Sequence, residues 1–123
     1  MKILVVEDNP TNMKLASSLL KREGYDVLEA VDAETGVDMA RAQSPDLILM
    51  DIQLPGMDGL AATGILKKDP ATSNILIIAM TAFAMKGDED KMLAAGCDGY
   101  IAKPIRYREF LATVGAFLTG LRG

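Results

Sequence analysis

Five short apolar runs alternate along the chain with segments of helical periodicity. The runs predict β-strands at 3–6, 25–30, 47–50, 75–80 and 99–102, of which the second is the least apolar and therefore the nearest to a sheet edge. Residues 47–50 are apolar on both faces of the pleat, which is typical of a strand buried in a parallel sheet between helices. This run stops on Asp51, and such sheets bind ligands beyond the carboxyl ends of their strands.

The segments between the runs carry the start and stop signals of helices. Asn9 caps the first helix, Pro10 opens it and Gly24 ends it. Further helices are expected from about residue 33 to 44, 60 to 68, 84 to 95 and 106 to 121. The side chains expected to face the core are Met13, Ala16, Leu19, Leu20, Val37, Met39, Ala40, Met85, Met92, Leu93, Phe110, Leu111, Val114, Phe117, Leu118 and Leu121. Five strands alternating with five helices predict parallel βαβ units with right-handed crossovers, in a doubly wound α/β sheet.

Composition limits the function to a small number of classes. The 123 residues are 50% apolar and 24% charged, which suits one packed domain over residues 1–123, with no output domain expected after the last helix. A net charge of -4 without a basic run argues against nucleic-acid binding. We also expect no membrane partner and a cytoplasmic location, because no apolar segment approaches about 18 residues and no signal peptide is apparent. The absence of histidine excludes imidazole chemistry, and the lone Cys97 excludes a disulfide framework.

Polar residues end or follow four of the predicted strands. In a parallel sheet Glu7, Asp8, Asp51, Thr81 and Lys103 would reach one rim. Each has an ordinary structural explanation when taken singly, such as a helix dipole, a turn or a surface charge. Three carboxylates at one point repel each other, however, and Mg²⁺ is a cation that prefers such oxygen ligands. A cation, a lysine and a hydroxyl around one aspartate are what an in-line phosphoryl transfer needs, with Asp51 supplying the attacking oxygen.

At these positions the chain resembles the receiver domain of bacterial two-component response regulators. The motif blocks that carry the resemblance follow one another at 3–9, 49–59, 80–82 and 103–104, and it covers essentially the whole chain. The sequence of residues 82–88 is most similar to those of DivK-type single-domain response regulators and of receivers of hybrid histidine kinases. The resemblance implies a (βα)5 flavodoxin-like fold, with a five-stranded parallel sheet in the order 2-1-3-4-5 and helices on both faces.

The resemblance also implies the chemistry of the site. Asp51 would accept a phosphoryl group from a phosphohistidine on a sensor histidine kinase or a histidine phosphotransfer protein. Asp8, Asp51 and the backbone carbonyl of Gln53 would ligate Mg²⁺, for which Mn²⁺ can substitute, while Glu7 would act through water. The domain would catalyse only its own phosphorylation and dephosphorylation and would not be an enzyme with an external substrate.

A second set of residues is expected to bind the phosphoryl group and respond to it. Thr81 would hydrogen-bond it and Lys103 would form a salt bridge with it, helped by a cis peptide bond between Lys103 and Pro104. Tyr100 occupies the position of the family's switch aromatic, and we favour this role over the alternative of an ordinary half-buried strand aromatic. Movement of Thr81 would make room for Tyr100 and so reshape the surface of the fourth helix, last strand and last helix, where a downstream protein docks.

Two further side chains follow Asp51 and Thr81 by two positions, where the family has no fixed residue type. Gln53 and Phe83 are expected to govern the access of water to the aspartyl phosphate and hence its lifetime, with Phe83 as an apolar shield. The protein is expected to be a monomer or a weak phosphorylation-dependent dimer.

Three alternatives remain open. A flavodoxin-like cofactor module would hold a flavin phosphate after the first strand, but Glu7 and Asp8 would repel that phosphate and no Walker pattern is present. A pseudo-receiver would bind partners without phosphorylation, but the acceptor, the acids and the lysine are all retained. A receiver excised from a hybrid histidine kinase would share every motif, although Met1 directly before the first strand speaks mildly against it.

Overall fold

The strands and helices alternate along the whole of the described chain. The computed structural model describes residues 1–82 and 86–120. In these ranges the elements are β1 (Lys2–Val6), α1 (Pro10–Arg22), β2 (Asp26–Ala30), α2 (Ala33–Gln43), β3 (Leu47–Asp51), α3 (Gly59–Lys68), β4 (Leu76–Thr81), α4 (Lys86–Ala95), β5 (Gly99–Ala102) and α5 (Tyr107–Gly120). The predicted five strands and five helices are confirmed, and the bounds that fall on described residues shift by at most one or two residues.

All neighbouring strands pair in parallel, in the order β2-β1-β3-β4-β5. The predicted doubly wound, flavodoxin-like α/β fold is therefore confirmed. The register places Asp51 beside Met80 and Thr81 beside Ala102, so the carboxyl ends of the three strands β3, β4 and β5 are level. The weakly apolar β2 is an edge strand, as its composition predicts.

Helices cover both faces of the sheet and bury its central strands. All five residues of β3 and all six of β4 are buried. One core cluster joins the sheet to α2, α3 and α4, and a second joins it to α1 and α5. Because side chains on both faces of β3 are packed, the strand that ends on Asp51 has little freedom to move.

Local signals account for the ends of the helices that flank the site. The Asn9 side chain accepts hydrogen bonds from the backbone N–H groups of Thr11 and Asn12, at 2.9 and 3.1 Å, and Pro10 begins α1. Asp58 caps α3 by accepting a hydrogen bond from the Ala61 N–H at 2.8 Å. No described helix has the length and hydropathy needed to cross a membrane.

The expected core contacts are confirmed for most of the described helices, but the prediction for Leu93 is wrong. Leu93 is 57% exposed, whereas its neighbour Met92 is buried. The helix α4 has too few apolar residues for helical periodicity to decide which of them faces the sheet. The expected contacts of Met85 and Leu121, and the start of the fourth helix at residue 84, lie outside the described residues.

Candidate functional site

The ends of four strands bring the candidate residues to one edge of the sheet. Glu7 follows β1, Asp51 and Thr81 end β3 and β4, and Lys103 follows β5. Glu7 and Asp51 are 1% and 2% exposed, and Thr81 is fully buried, whereas Asp8 faces solvent. The predicted convergence of strand ends therefore produces a crevice with two buried carboxylates, one exposed carboxylate and one lysine.

Lys103 joins the two buried carboxylates. Its ammonium nitrogen donates a hydrogen bond to Glu7 Oε1 at 2.8 Å and lies 3.1 Å from Asp51 Oδ2. The backbone N–H of Lys103 donates to the carbonyl of Thr81 at 2.7 Å, and the peptide bond to Pro104 is cis, as expected. Burial would lower the pKa of Lys103, but the carboxylates of Glu7 and Asp51 together raise it above its usual value.

The surroundings of Asp51 favour its ionised form. Burial alone would raise its pKa, but its interactions with Glu7, with the backbone N–H of Gln53 and with Lys103 together lower it below the usual value. The Gln53 N–H donates to Asp51 Oδ1 at 2.9 Å, while the Gln53 side chain is exposed. The backbone therefore holds one oxygen of Asp51, and the second oxygen faces Lys103.

The pKa of Glu7 is shifted in the opposite direction, which favours its protonated form. Burial and the adjacent Asp51 carboxylate raise the pKa of Glu7 to about 7, although Lys103 opposes the shift. Glu7 Oε2 is buried and has no hydrogen-bond partner within the described part of the chain. A buried carboxylate oxygen without a donor is costly, and a cation near it would remove that cost.

The acidic residues lie close enough together to hold one metal ion. Single carboxylate oxygens of Glu7, Asp8 and Asp51 lie within 4.8 Å of one another. Three hard oxygen donors, in a group where Glu7 also has the unpartnered Oε2, suit a hard divalent cation such as Mg²⁺. The residues present therefore fit this ion, on the chemistry of the donors and on the unpartnered oxygen.

A glycine allows α3 to begin directly against the acidic crevice. A Cβ atom placed on Gly59 would lie 2.2 Å from the carbonyl oxygen of Asp51 and 2.8 Å from the Cα of Ile52. No side chain fits there unless the backbone moves. Gly59 therefore sets how closely the start of α3 packs against the end of β3.

The family model for the response regulator receiver domain matches residues 3–115 of this chain. The chain belongs to the response regulator receiver domain family. The predicted resemblance is thus confirmed, and membership favours the receiver over the flavin-binding alternative that shares its fold.

Curated relatives of this receiver domain are of similar length. The polar-differentiation response regulators DivK of Brucella anthropi and Brucella ovis are each 46% identical to it over 116 residues. These matches cover 94% of this chain and 94% of each relative. The predicted similarity to DivK-type regulators is therefore confirmed.

Solved receiver domains have the same fold. The receiver domain of a sensor histidine kinase of Pseudomonas aeruginosa, with a magnesium ion coordinated in its active site cleft, superposes with a TM-score of 0.89 at 36% identity over 96% of this chain and 97% of that chain. A response regulator of Chloroflexus aurantiacus gives a TM-score of 0.91 at 27% identity, with the same shares covered. The crevice of this receiver domain thus occurs in a fold that holds magnesium in at least one relative.

Other predicted residues lie around the crevice. Tyr100 is 38% exposed, and its hydroxyl donates a hydrogen bond to Glu89 of α4. Phe83 lies outside the described residues. Sequence reasoning missed Gly59 and Glu89: the capping residue Asp58 indicates where α3 starts, but nothing in the sequence indicates the close approach of Gly59 or the partner of Tyr100.

Proposed function

We propose that this receiver domain carries a phosphoryl group on Asp51, taken from a phosphohistidine of a sensor histidine kinase or a histidine phosphotransfer protein. The observation that carries the proposal is the geometry of Asp51, which is buried and held between the Gln53 N–H and the Lys103 ammonium, contacts that favour its ionised form by lowering its pKa. A carboxylate in this state is a nucleophile that needs no general base. Its oxygen forms a bond to phosphorus while the bond from phosphorus to the imidazole nitrogen breaks, and the electron pair stays on the imidazole of the donor.

The neighbouring side chains stabilise the charge of the phosphoryl group. Lys103, which already reaches both buried carboxylates, pairs with one phosphoryl oxygen, and the Thr81 hydroxyl donates to another. Asp8, Asp51 and the carbonyl of Gln53 would hold Mg²⁺ or Mn²⁺, with Glu7 acting through water. The bound ion supplies positive charge that neutralises the phosphoryl oxygens during transfer. The phosphoryl group is received on Asp51 and later lost from it, so the domain catalyses only its own phosphorylation and dephosphorylation.

The phosphoryl group acts as a signal by changing the α4-β5-α5 surface. Thr81 moves toward the phosphoryl group and Tyr100 turns inward from its exposed position. A change from 1:99 to 99:1 between two conformations requires about 5.5 kcal/mol, which a few charge-assisted hydrogen bonds can supply. A downstream protein in the cytoplasm then binds the changed surface.

Intact-mass spectrometry tests the proposal with acetyl phosphate as the donor. With Mg²⁺, the wild type is expected to gain the mass of one phosphoryl group and to gain none when EDTA replaces Mg²⁺. Asp51→Asn should gain none, because an amide is a poor nucleophile. The matched control is Asp38→Asn, an exposed carboxylate on α2, which should label like the wild type. Labelling of Asp51→Asn to the wild-type extent would refute the assignment.

A further inference from the structure

The helix α4 is weakly attached to the sheet by apolar contacts. Among the described side chains of α4, only Met92 is buried, and Leu93 is 57% exposed. The first half of the helix carries the consecutive acidic residues Asp88, Glu89 and Asp90. A helix with so little apolar burial depends on specific polar contacts for its position.

Tyr100 supplies such a contact from the neighbouring strand. Tyr100 pairs in register with Ala79 of β4, which belongs to the same core cluster as Met92 of α4, so Tyr100 and α4 share one side of the sheet. The Tyr100 hydroxyl donates a hydrogen bond to Glu89 Oε1. This bond raises the pKa of the Tyr100 phenol, as expected for a donor to a carboxylate.

We propose that the Tyr100–Glu89 hydrogen bond is a latch that fastens the first half of α4 to β5 and holds Tyr100 in its outward position in the unphosphorylated protein. Glu89 is thus a positioning residue, which acts on the phosphoryl site only through Tyr100. The ring cannot turn inward while its hydroxyl donates to Glu89, so inward rotation must break the bond.

The latch couples α4 to the chemistry at Asp51. Phosphorylation favours the inward position of Tyr100, whereas the latch favours the outward position. Because coupling between two sites is reciprocal, the latch weakens the phosphorylated state by the same factor by which phosphorylation weakens the latch. Removing the latch should therefore make the crevice easier to phosphorylate. This inference rests on the proposed function, since it assumes that Asp51 is the phosphoacceptor.

Binding of beryllofluoride, a phosphoryl mimic, measures this coupling without turnover. With Mg²⁺ present, Glu89→Ala is expected to bind beryllofluoride about three- to tenfold more tightly than the wild type, a modest factor because the bond lies near solvent. Glu89→Gln keeps an acceptor oxygen and should remain close to the wild type. Asp90→Ala, an exposed neighbour on the same helix, is the matched control and should not change the affinity.

The position of Tyr100 can be followed directly. Fluorotyrosine labelling gives three ¹⁹F resonances, because the chain has three tyrosines, and Tyr100→Phe identifies the relevant one. In Glu89→Ala without beryllofluoride, the Tyr100 resonance should move part of the way toward its position in the bound wild type. In a Tyr100→Phe background, Glu89→Ala should have no further effect on affinity, because the donor is already absent.

The outcomes separate the latch from the proposed function. If the wild type binds beryllofluoride but Glu89→Ala binds it equally and leaves the Tyr100 resonance unmoved, the latch is wrong and the phosphoacceptor assignment stands. If the wild type neither binds beryllofluoride nor accepts phosphate from acetyl phosphate, the proposed function fails. Equal gains in affinity for Glu89→Ala and Asp90→Ala would also overturn the latch, because a general loss of negative charge would then be the cause.

Discussion

Two buried carboxylates at this site have opposite pKa shifts. The interactions of Asp51 with Glu7, the Gln53 N–H and Lys103 keep its pKa low, whereas burial beside Asp51 raises the pKa of Glu7 to about 7. The same ammonium group reaches both side chains, so a shared cation alone does not explain the difference. The difference follows first from the interaction between the two carboxyl groups, which lowers the pKa of Asp51 and raises the pKa of Glu7. The Gln53 N–H adds to it by donating to Asp51, while Glu7 Oε2 has no hydrogen-bond partner in the described ranges.

The raised pKa of Glu7 predicts how stability changes with pH in the absence of metal. Between pH 4.5 and about 7 the folded protein binds a proton on Glu7 that the unfolded chain does not. The free energy of unfolding should therefore fall as the pH rises through this range, by about 3 kcal/mol in total, and this contribution is fully present below pH 4.5. Urea unfolding in EDTA at a series of pH values measures it.

The matched variant for this titration is Glu7→Gln, which cannot ionise. Its free energy of unfolding should be nearly constant over the same pH range. The lowered pKa of Asp51 contributes only below its ordinary value of 3.8 and with the opposite sign, so it does not overlap this range. A fall of equal size in Glu7→Gln would show that another group causes the pH dependence.

The strand β3 carries the proposed phosphoacceptor Asp51 at its end, and this end lies against the start of α3. Gly59 permits that contact, because a Cβ there would lie 2.2 Å from the Asp51 carbonyl. The position of Asp51 thus depends on a residue that has no chemistry of its own.

Gly59→Ala is expected to displace the end of β3. The added methyl group overpacks the junction, so the free energy of unfolding should fall by about 1–3 kcal/mol, and labelling by acetyl phosphate should slow because Asp51 moves. Chemical denaturation and intact-mass kinetics measure the two effects. Gly64→Ala in the same helix is the control: its Cβ would have nothing within 4 Å, and better helix propensity should stabilise the protein by up to about 1 kcal/mol. Stabilisation by both substitutions would contradict the close approach.

Most of the elements and the main site residues can be predicted from the sequence, for reasons seen in β3 and α4. The apolar run before Asp51 predicts both the strand and the place where it ends, and parallel strands then bring Glu7, Asp51 and Lys103 together. The orientation of α4 cannot be predicted in this way, since its helical pattern is weak and Leu93 turns outward. The Tyr100–Glu89 pair joins two separate elements and depends on their packing.

At the scale of the whole molecule, one end of the sheet carries the functional residues and the other end is structural. One end carries the acidic crevice, and the other is held by Asp98, which accepts hydrogen bonds from the Ile77 N–H and from Lys67 of α3, both at 2.9 Å. Lys67 also donates to the carbonyl of Ile75 at 2.8 Å. These contacts fix the loop after α4 to α3 and β4, so a change at the crevice is expected to move the beginning of α4 more than its end.

A metal that binds only the folded protein must also stabilise it. At a Mg²⁺ concentration of about 100 times the dissociation constant, the wild type should gain about 2.7 kcal/mol in its free energy of unfolding. Asp8→Asn should lose most of this gain while keeping its metal-free stability, because Asp8 is an exposed member of the acidic group. Thermal unfolding with Mg²⁺ and with EDTA measures both. An undiminished gain in Asp8→Asn would remove that residue from the metal site.

The most direct measurement of the central claim is the identity of the phosphorylated side chain. Wild-type protein is labelled with acetyl phosphate and Mg²⁺ and then reduced with borohydride, which converts an aspartyl phosphate to homoserine. Tandem mass spectrometry then locates the converted residue in the chain. The expected result is homoserine at position 51 alone, with none in the sample prepared in EDTA; conversion at Asp8 or at any other carboxylate, with Asp51 unchanged, would contradict the account.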